Sequence, residues 1–401
     1  MSTSPTRAQE WRQSWPVVLG SAIGLGTGFS VWAYVSSTFV LPLGDAFGWS
    51  RGQVAGVAAT GLLGAALAPV LGALVDRLGV RRVALTSTAL LGVLYFALTM
   101  MNGSLTVFYL VFTVLGVAGL GTIGITYTRA VAGWFEQSRG LALGVSLLGV
   151  SVMGIFLPPI LSAAMAQYGW TAGFQILGGL ALLVGLPAAF FLVKERPENK
   201  PTERVRTPWR KLIASPIFWL LIVSILLVNV PGAGILGQFQ PILVDGGLSR
   251  AQAAGMLSIY AGSVFVGRLG FGFLLDRLPP VAIAATAFTV PIIGAVLLID
   301  GQITHTEALV AAATLGLAAG AEIDIVGFFI ARYFGMRHYA TLFGIMMSAL
   351  VIANASGNIL YGRVFDTTGG YGDALIWSIG GYVLGGIAIL LIGRVRERPL
   401  L

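Results

Sequence analysis

The stretch Gly48-Trp49-Ser50-Arg51-Gly52-Gln53-Val54-Ala55-Gly56 returns 199 positions later as Gly247-Leu248-Ser249-Arg250-Ala251-Gln252-Ala253-Ala254-Gly255. Each copy carries Ser-x-x-Gln ahead of a long apolar run. That pattern predicts a capping box, in which the Ser hydroxyl accepts a free backbone N–H and the Gln side chain reaches back to the Ser N–H. At the same offset Trp134-Phe135 matches Tyr333-Phe334, and one residue further on Asp76-Arg77 matches Asp276-Arg277. Several matches at one spacing make the chain a tandem repeat of two related halves.

The composition says what the halves are made of. Of 401 residues, 56% are apolar and only 10% charged, against roughly 25% charged in soluble domains. Mean hydropathy is +0.88. So few charges cannot cover a soluble surface, and the chain is expected to be one membrane-embedded body. The absence of cysteine excludes disulfides, thiolate metal sites and a Cys nucleophile. The 55 glycines point to helices packed closely through small residues.

A bilayer-spanning helix needs about 20 apolar residues. Such runs recur at 15–43, 52–75, 82–101, 105–133, 139–166, 171–193, 214–243, 250–275, 281–299, 306–331, 340–362 and 374–393, twelve in all. They are continuous rather than alternating, which excludes a barrel. With a cytoplasmic N-terminus, 19 Lys and Arg fall in inside segments and 3 in outside ones. By the positive-inside rule both termini are expected in the cytoplasm, in a multi-pass protein of the inner (plasma) membrane. The basic excess is thus a topology signal, and no basic patch interleaved with aromatics suggests nucleic acid. No cleaved signal peptide is expected, because the first 14 residues are polar and the first run is too long for a signal h-region.

The polar stretch from Lys194 divides the spans six and six. The expected organisation is an N-terminal six-helix half at 1–193, a cytoplasmic linker at 194–213 and a C-terminal half at 214–401. Two related halves around a polar linker are the plan of a secondary transporter working by alternating access.

After the second span comes Gly72-Ala-Leu-Val-Asp76-Arg77-Leu-Gly79-Val-Arg81-Arg82. It resembles the loop signature of the major facilitator superfamily, whose acidic and basic side chains are suited to ion pairs or to capping a neighbouring helix end. The second copy keeps Gly272 and Asp276-Arg277 but has Pro279-Pro280 where the basic ending would be. A narrower resemblance lies in Trp134-Phe135…Arg139-Gly140-Leu141-Ala142-Leu143-Gly144, then Gly149 and Gly154. It is similar to the monocarboxylate porters and the related oxalate–formate antiporters. Gly140 and Gly144 are expected to make a GxxxG packing face. The resemblance implies an all-α fold of twelve transmembrane helices in two pseudo-symmetric halves, a small organic anion as substrate, and an Arg in span eight that binds its carboxylate. Arg268 matches that position. The sequence departs from the porters at Val264, where animal members carry Asp; it lacks their first-span Lys and acidic residue, and it lacks the span-eleven Lys of the oxalate–formate antiporter.

Four charges lie inside spans: Arg129, Arg268, Glu322 and Asp324. An intramembrane charge is a functional hypothesis by default. Arg268 lies eight residues before Asp276, about 12 Å along a helix, and its guanidinium fits a carboxylate in a fork. An ion pair with Asp324 or Glu322 is the competing reading. A carboxylic acid in a cavity whose exposure alternates takes up a proton on one side and releases it on the other, so Glu322 and Asp324 are the candidates for proton coupling. Being two residues apart, they point to opposite faces of a helix. Arg129 is a gating candidate expected to pair with one of these acids, or else an Arg snorkelling to the headgroups. Tyr127, Asn229, Gln238, Asn354 and Tyr34 are further substrate-contact candidates, with Pro231-Gly232-Ala233-Gly234 a stretch of span seven suited to bending.

No metal cluster, phosphate loop, nucleophile elbow or dinucleotide fingerprint is present in the sequence. The chain is therefore expected to be no enzyme and to need no cofactor. The expectation is a proton-coupled symporter of a monocarboxylate, functional as a monomer, its partners being the anion, protons and membrane lipid. The alternatives are an exporter of drugs or lipophilic cations driven by protons, and an organic anion exchanger.

Overall fold

The computed structural model describes residues 7–135, 137–194, 209–275, 277–335 and 339–395. Asp276 and most of the expected linker fall outside them. The described helices are α1 (Arg7–Thr27), α2 (Trp32–Phe47), α3 (Arg51–Ala55), α4 (Thr60–Leu78), α5 (Val80–Leu98), α6 (Leu105–Gly119), α7 (Gly124–Trp134), α8 (Arg139–Tyr168), α9 (Thr171–Leu180) and α10 (Leu186–Phe191). They continue with α11 (Trp209–Ile213), α12 (Pro216–Gly237), α13 (Phe239–Asp245), α14 (Arg250–Leu275), α15 (Pro280–Thr289), α16 (Pro291–Leu297), α17 (His305–Phe334), α18 (Tyr339–Thr368) and α19 (Gly372–Ile392). No strand occurs among the described residues. Ten helical stretches are long and apolar enough to cross a membrane, eleven when α1 and α2, bent by 50°, count as one span. The expected span at 52–75 is built from α3, a 3-10 turn at Gly56–Ala59 and α4.

Contacts divide the chain into two compact units, Met1–Phe47 with Leu63–Pro201, and Gly48–Leu62 with Thr202–Leu401. The tip of the second span thus packs with the second unit, although its neighbours in sequence pack with the first.

In the first unit, α1 and α8 approach until backbone meets backbone. A Cβ on Gly149 would lie 1.8 Å from the Ala22 carbonyl oxygen. Gly20, Gly24 and Gly28 are packing positions too, facing Leu192, the Tyr127 ring and Thr122. The expected GxxxG face fails at Gly144, where a Cβ would meet nothing within 4 Å; the close contact is made five residues later, at Gly149. Two breaks in the helices meet. The Phe29 N–H at the α1–α2 bend donates to Thr122 Oγ1 at 2.9 Å, in the 3-10 turn between α6 and α7. A backbone donor freed by the bend finds its acceptor there, as membrane burial demands. Beside them Phe39 and Phe174 stack at 4.5 Å, with Trp32 4.8 Å from Phe112.

Both predicted capping boxes form. Gln53 N–H donates to Ser50 Oγ and Ser50 N–H to Gln53 Oε1, and Ser249 and Gln252 do the same. Gly79 of the loop signature has φ 89°, ψ 154°, a conformation nearly closed to other residues, and it turns α4 into α5. Arg81 donates to the Phe190 carbonyl at 2.6 Å. It thereby satisfies an acceptor in the last turn of α10, one of the two roles expected of this loop.

Sequence reading overlooks Glu10. It is 2% exposed, and its carboxylate accepts the Gln137 and Ser138 backbone N–H groups at 3.0 and 3.1 Å, at the start of α8. Trp11 beside it packs edge-on against Phe135 at 5.1 Å. Replacing Glu10 by Ala leaves the buried Ser138 donor without this acceptor, a penalty of about 1–3 kcal/mol. Thermal unfolding of purified protein should show Glu10→Ala melting well below the wild type, with Glu10→Gln, which keeps one acceptor oxygen, in between.

Candidate functional site

The intramembrane charges of the second unit are placed by glycines. Where α14 crosses α17, a Cβ on Gly267 would lie 2.2 Å from the Leu317 carbonyl oxygen. A Cβ on Gly316 would lie 2.4 Å from that of Tyr260, and one on Gly320 2.2 Å from that of Val264. Gly316, Gly320 and Asp324 recur every four residues and so share one face of α17. That face meets α14 at Arg268, whose backbone N sits 2.7 Å from the Cβ position of Gly320.

Arg268 and Asp324 consequently face each other, with Nε 4.0 Å from Oδ2. This is an ion pair by distance but too long for a hydrogen bond, and the buried Nε has no hydrogen-bond partner. The side chains keep 30% and 38% of their surface exposed. The pair is loose, unsealed and left with an unused donor.

Glu322 points elsewhere, as the two-residue spacing requires. It stands near Asn229 on α12. Tyr382 on α19 shares the same electrostatic surroundings, and its buried hydroxyl has no hydrogen-bond partner. Asn229 is 7% exposed and also donates to the Ile225 carbonyl at 3.0 Å. Tyr382 escapes sequence reasoning; its signal is a lone Tyr beside Gly380-Gly381 in an otherwise apolar span. The two acids therefore stand in different settings, one opposite a cation and one among neutral polar groups.

The other candidates are scattered. Gln238 is fully buried at the junction of α12 and α13, where its Oε1 accepts from the Tyr371 hydroxyl at 3.0 Å. Span seven breaks at that junction; α12 runs unbroken through Pro231 to Gly237. The flanking helices approach this stretch closely. A Cβ on Gly234 would lie 2.2 Å from the Tyr361 ring, and the Gly357 Cβ position is 2.1 Å from the Val230 carbonyl oxygen. Asn354 is exposed on α18. In the first unit, Tyr127 is fully buried with its ring against Gly24, Tyr34 is half-buried on α2, and Arg129 is exposed on α7. No group of three or more potential metal ligands occurs among the described residues.

The sequence profile of the Major Facilitator Superfamily matches residues 21–358. The chain belongs to that superfamily. It is a multi-pass membrane protein of the secondary-transporter kind. Monocarboxylate transporter 13 of Rattus norvegicus is 26% identical over 331 residues, 80% of this chain and 75% of that one. The MFS-type transporter pytF of Aspergillus terreus is 31% identical over 150 residues, 37% of this chain and only half the length of that relative. Among solved structures, the nucleoside transporter NupG superposes with a TM-score of 0.78 at 13% identity, over 94% of this chain and 99% of that one. At that identity the likeness is one of fold.

The glycine contacts make a direct prediction. Gly320→Ala places a methyl against the Val264 carbonyl and should lower the unfolding temperature, at a cost of about 1–3 kcal/mol. Gly320→Val should lower it further, whereas Gly270→Ala, on the partner helix α14 but with open space around its Cβ position, should leave it nearly unchanged.

Proposed function

We propose that this transporter carries a small organic anion, a monocarboxylate, by proton-coupled symport, and that Arg268 is the carboxylate anchor. The observation that supports this most is the loose Arg268–Asp324 pair, whose guanidinium is part-exposed and has an Nε donor unused. A substrate carboxylate offers the exposed part of this side chain a closer acceptor than Asp324 does, and a charge-assisted fork is the strongest contact available to it. Once the substrate holds Arg268, Asp324 loses its counter-ion, and taking up a proton removes the uncompensated charge. Glu322, among Asn229 and Tyr382, is a second place for a proton. The likeness to monocarboxylate transporter 13 adds weight on the substrate class. The two six-helix halves, plasma-membrane location and cytoplasmic termini expected from the basic residues complete the reading.

The exporter reading draws on Asp324 itself, whose 38% exposure would let it hold a cation. The two readings separate in one measurement, thermal stabilisation of the purified protein by a panel of monocarboxylates, dicarboxylates and lipophilic cations. Monocarboxylates should raise the unfolding temperature in the wild type and fail to do so in Arg268→Ala. Arg268→Lys should retain a weakened response, since a point charge replaces the fork. Stabilisation by cations alone would overturn the anion reading.

A further inference from the structure

The first turns of α1 read Arg7-Ala8-Gln9-Glu10-Trp11-Arg12-Gln13-Ser14-Trp15. Helical spacing sorts them by face. Glu10 turns inward, where its carboxylate takes the Gln137 and Ser138 N–H groups. Arg12, Trp15 and Leu19 follow one another at spacings of three and four on an outer face, and all three are exposed. From cation to indole to leucine is seven residues, about 10 Å along the axis. That is the order a helix presents as it enters a bilayer: charge among the headgroups, indole at the interface, leucine in hydrocarbon.

Beside this face lies a cleft of about 490 Å³, lined by Arg7, Ala8, Trp11, Gln137, Ser138 and Leu141. Its walls are the first two turns of α1 and the segment that leads into α8. The lining has two characters. Arg7, Gln137 and Ser138 supply a cation and polar groups, whereas Trp11 and Leu141 supply apolar surface. Leu141 keeps 64% of its surface exposed. One turn further along α8, Gly144 carries no side chain and has open space around its Cβ position.

The cations here are uncompensated. Among the described residues neither Arg7 nor Arg12 pairs with an acid. Glu10, the acid between them in sequence, is buried and its oxygens are taken by the two backbone donors.

We propose that this cleft binds an anionic phospholipid, its phosphate held by Arg7 and Arg12 and one acyl chain lying along Leu141 and Gly144. Basic pockets between helix ends suit such headgroups, in the leaflet at which α1 begins, expected to be the cytoplasmic one. A soluble anion would use the arginines but leave the exposed Leu141 uncovered. A second copy of this chain, docked about a two-fold axis, would bring Arg7 and Arg12 against their own kind, and like charges repel. The lipid meets both halves of the lining. Bound there, it bridges α1 and the start of α8 alongside the Glu10 contact, so it stabilises the first unit. The site does not depend on what the protein transports.

The test titrates purified protein in neutral detergent with dioleoyl phosphatidylglycerol or dioleoyl phosphatidylcholine and follows thermal unfolding. The anionic lipid should reach half of its stabilising effect at the lower concentration, by roughly fivefold for each arginine engaged. Added salt should erode this preference through screening. In the double variant Arg7→Gln with Arg12→Gln the two lipids should act alike, and each single variant should keep an intermediate preference. Arg394→Gln, which removes an exposed arginine just after α19 and outside the cleft, should keep all of it. Leu141→Gln leaves the cations in place but sets an amide where the acyl chain lies, so it should weaken the response to both lipids. Equal action of the two lipids on the wild type would overturn the site. So would a preference that survives the double variant, or one lost equally in Arg394→Gln, which marks general surface charge. Inorganic phosphate stabilising as well as phosphatidylglycerol would make this a site for free anions. Dimers in light scattering that Leu141→Gln abolishes would make it an interface between copies. Either result overturns the lipid reading. Should the double variant fail to fold, the single variants and the salt series on the wild type decide the matter. No substrate enters these measurements, so their failure would leave the carboxylate reading standing, and the converse holds.

Discussion

The second unit depends on backbone contact between α14 and α17. A carbonyl oxygen 2.2 Å from a would-be Cβ, found at both Gly267 and Gly320, means that no residue but glycine fits without moving a helix. In lipid there is no hydrophobic drive between helices, and close packing supplies much of the association. The same contact sets the chemistry. It brings Arg268 to the face of α17 that carries Asp324, and by the geometry of the helix it turns Glu322 away. Two acids within one turn of a helix thereby acquire separate surroundings without any special loop to separate them.

Much of this was legible beforehand. The repeat, the apolar runs and the capping boxes are local features, and local rules read them well: Ser50 with Gln53 and Ser249 with Gln252 form as the spacing dictates. The opposition of Glu322 and Asp324 follows from helical periodicity alone. The glycine signatures were only half legible. Spacing identifies a small-residue face but not its partner: the close contact falls at Gly149 and not at Gly144. The Pro/Gly stretch of span seven lies inside α12, which continues through Pro231 as one helix.

The candidate site was harder to read, since it is defined by what meets across helices. Tyr127 and Gln238 have the polar groups of a binding site, yet one fills a gap above Gly24 and the other accepts from Tyr371. Both belong to packing in this conformation. Glu10 and Tyr371 lie in polar segments near span ends, where a polar side chain is ordinary. Their importance comes from partners more than a hundred residues away, and no window on the sequence spans that distance.

That separation has a consequence in time for Glu10. Its acceptors wait for donors at residues 137 and 138. At typical synthesis rates of 5–20 residues per second, the interval is roughly 6–25 s. Through that period four spans are already made while these two donors do not yet exist. The bond that closes it is therefore an event of the nascent chain, a clasp that can shut only after α8 has begun, and it ties the start of the protein to the progress of its own insertion.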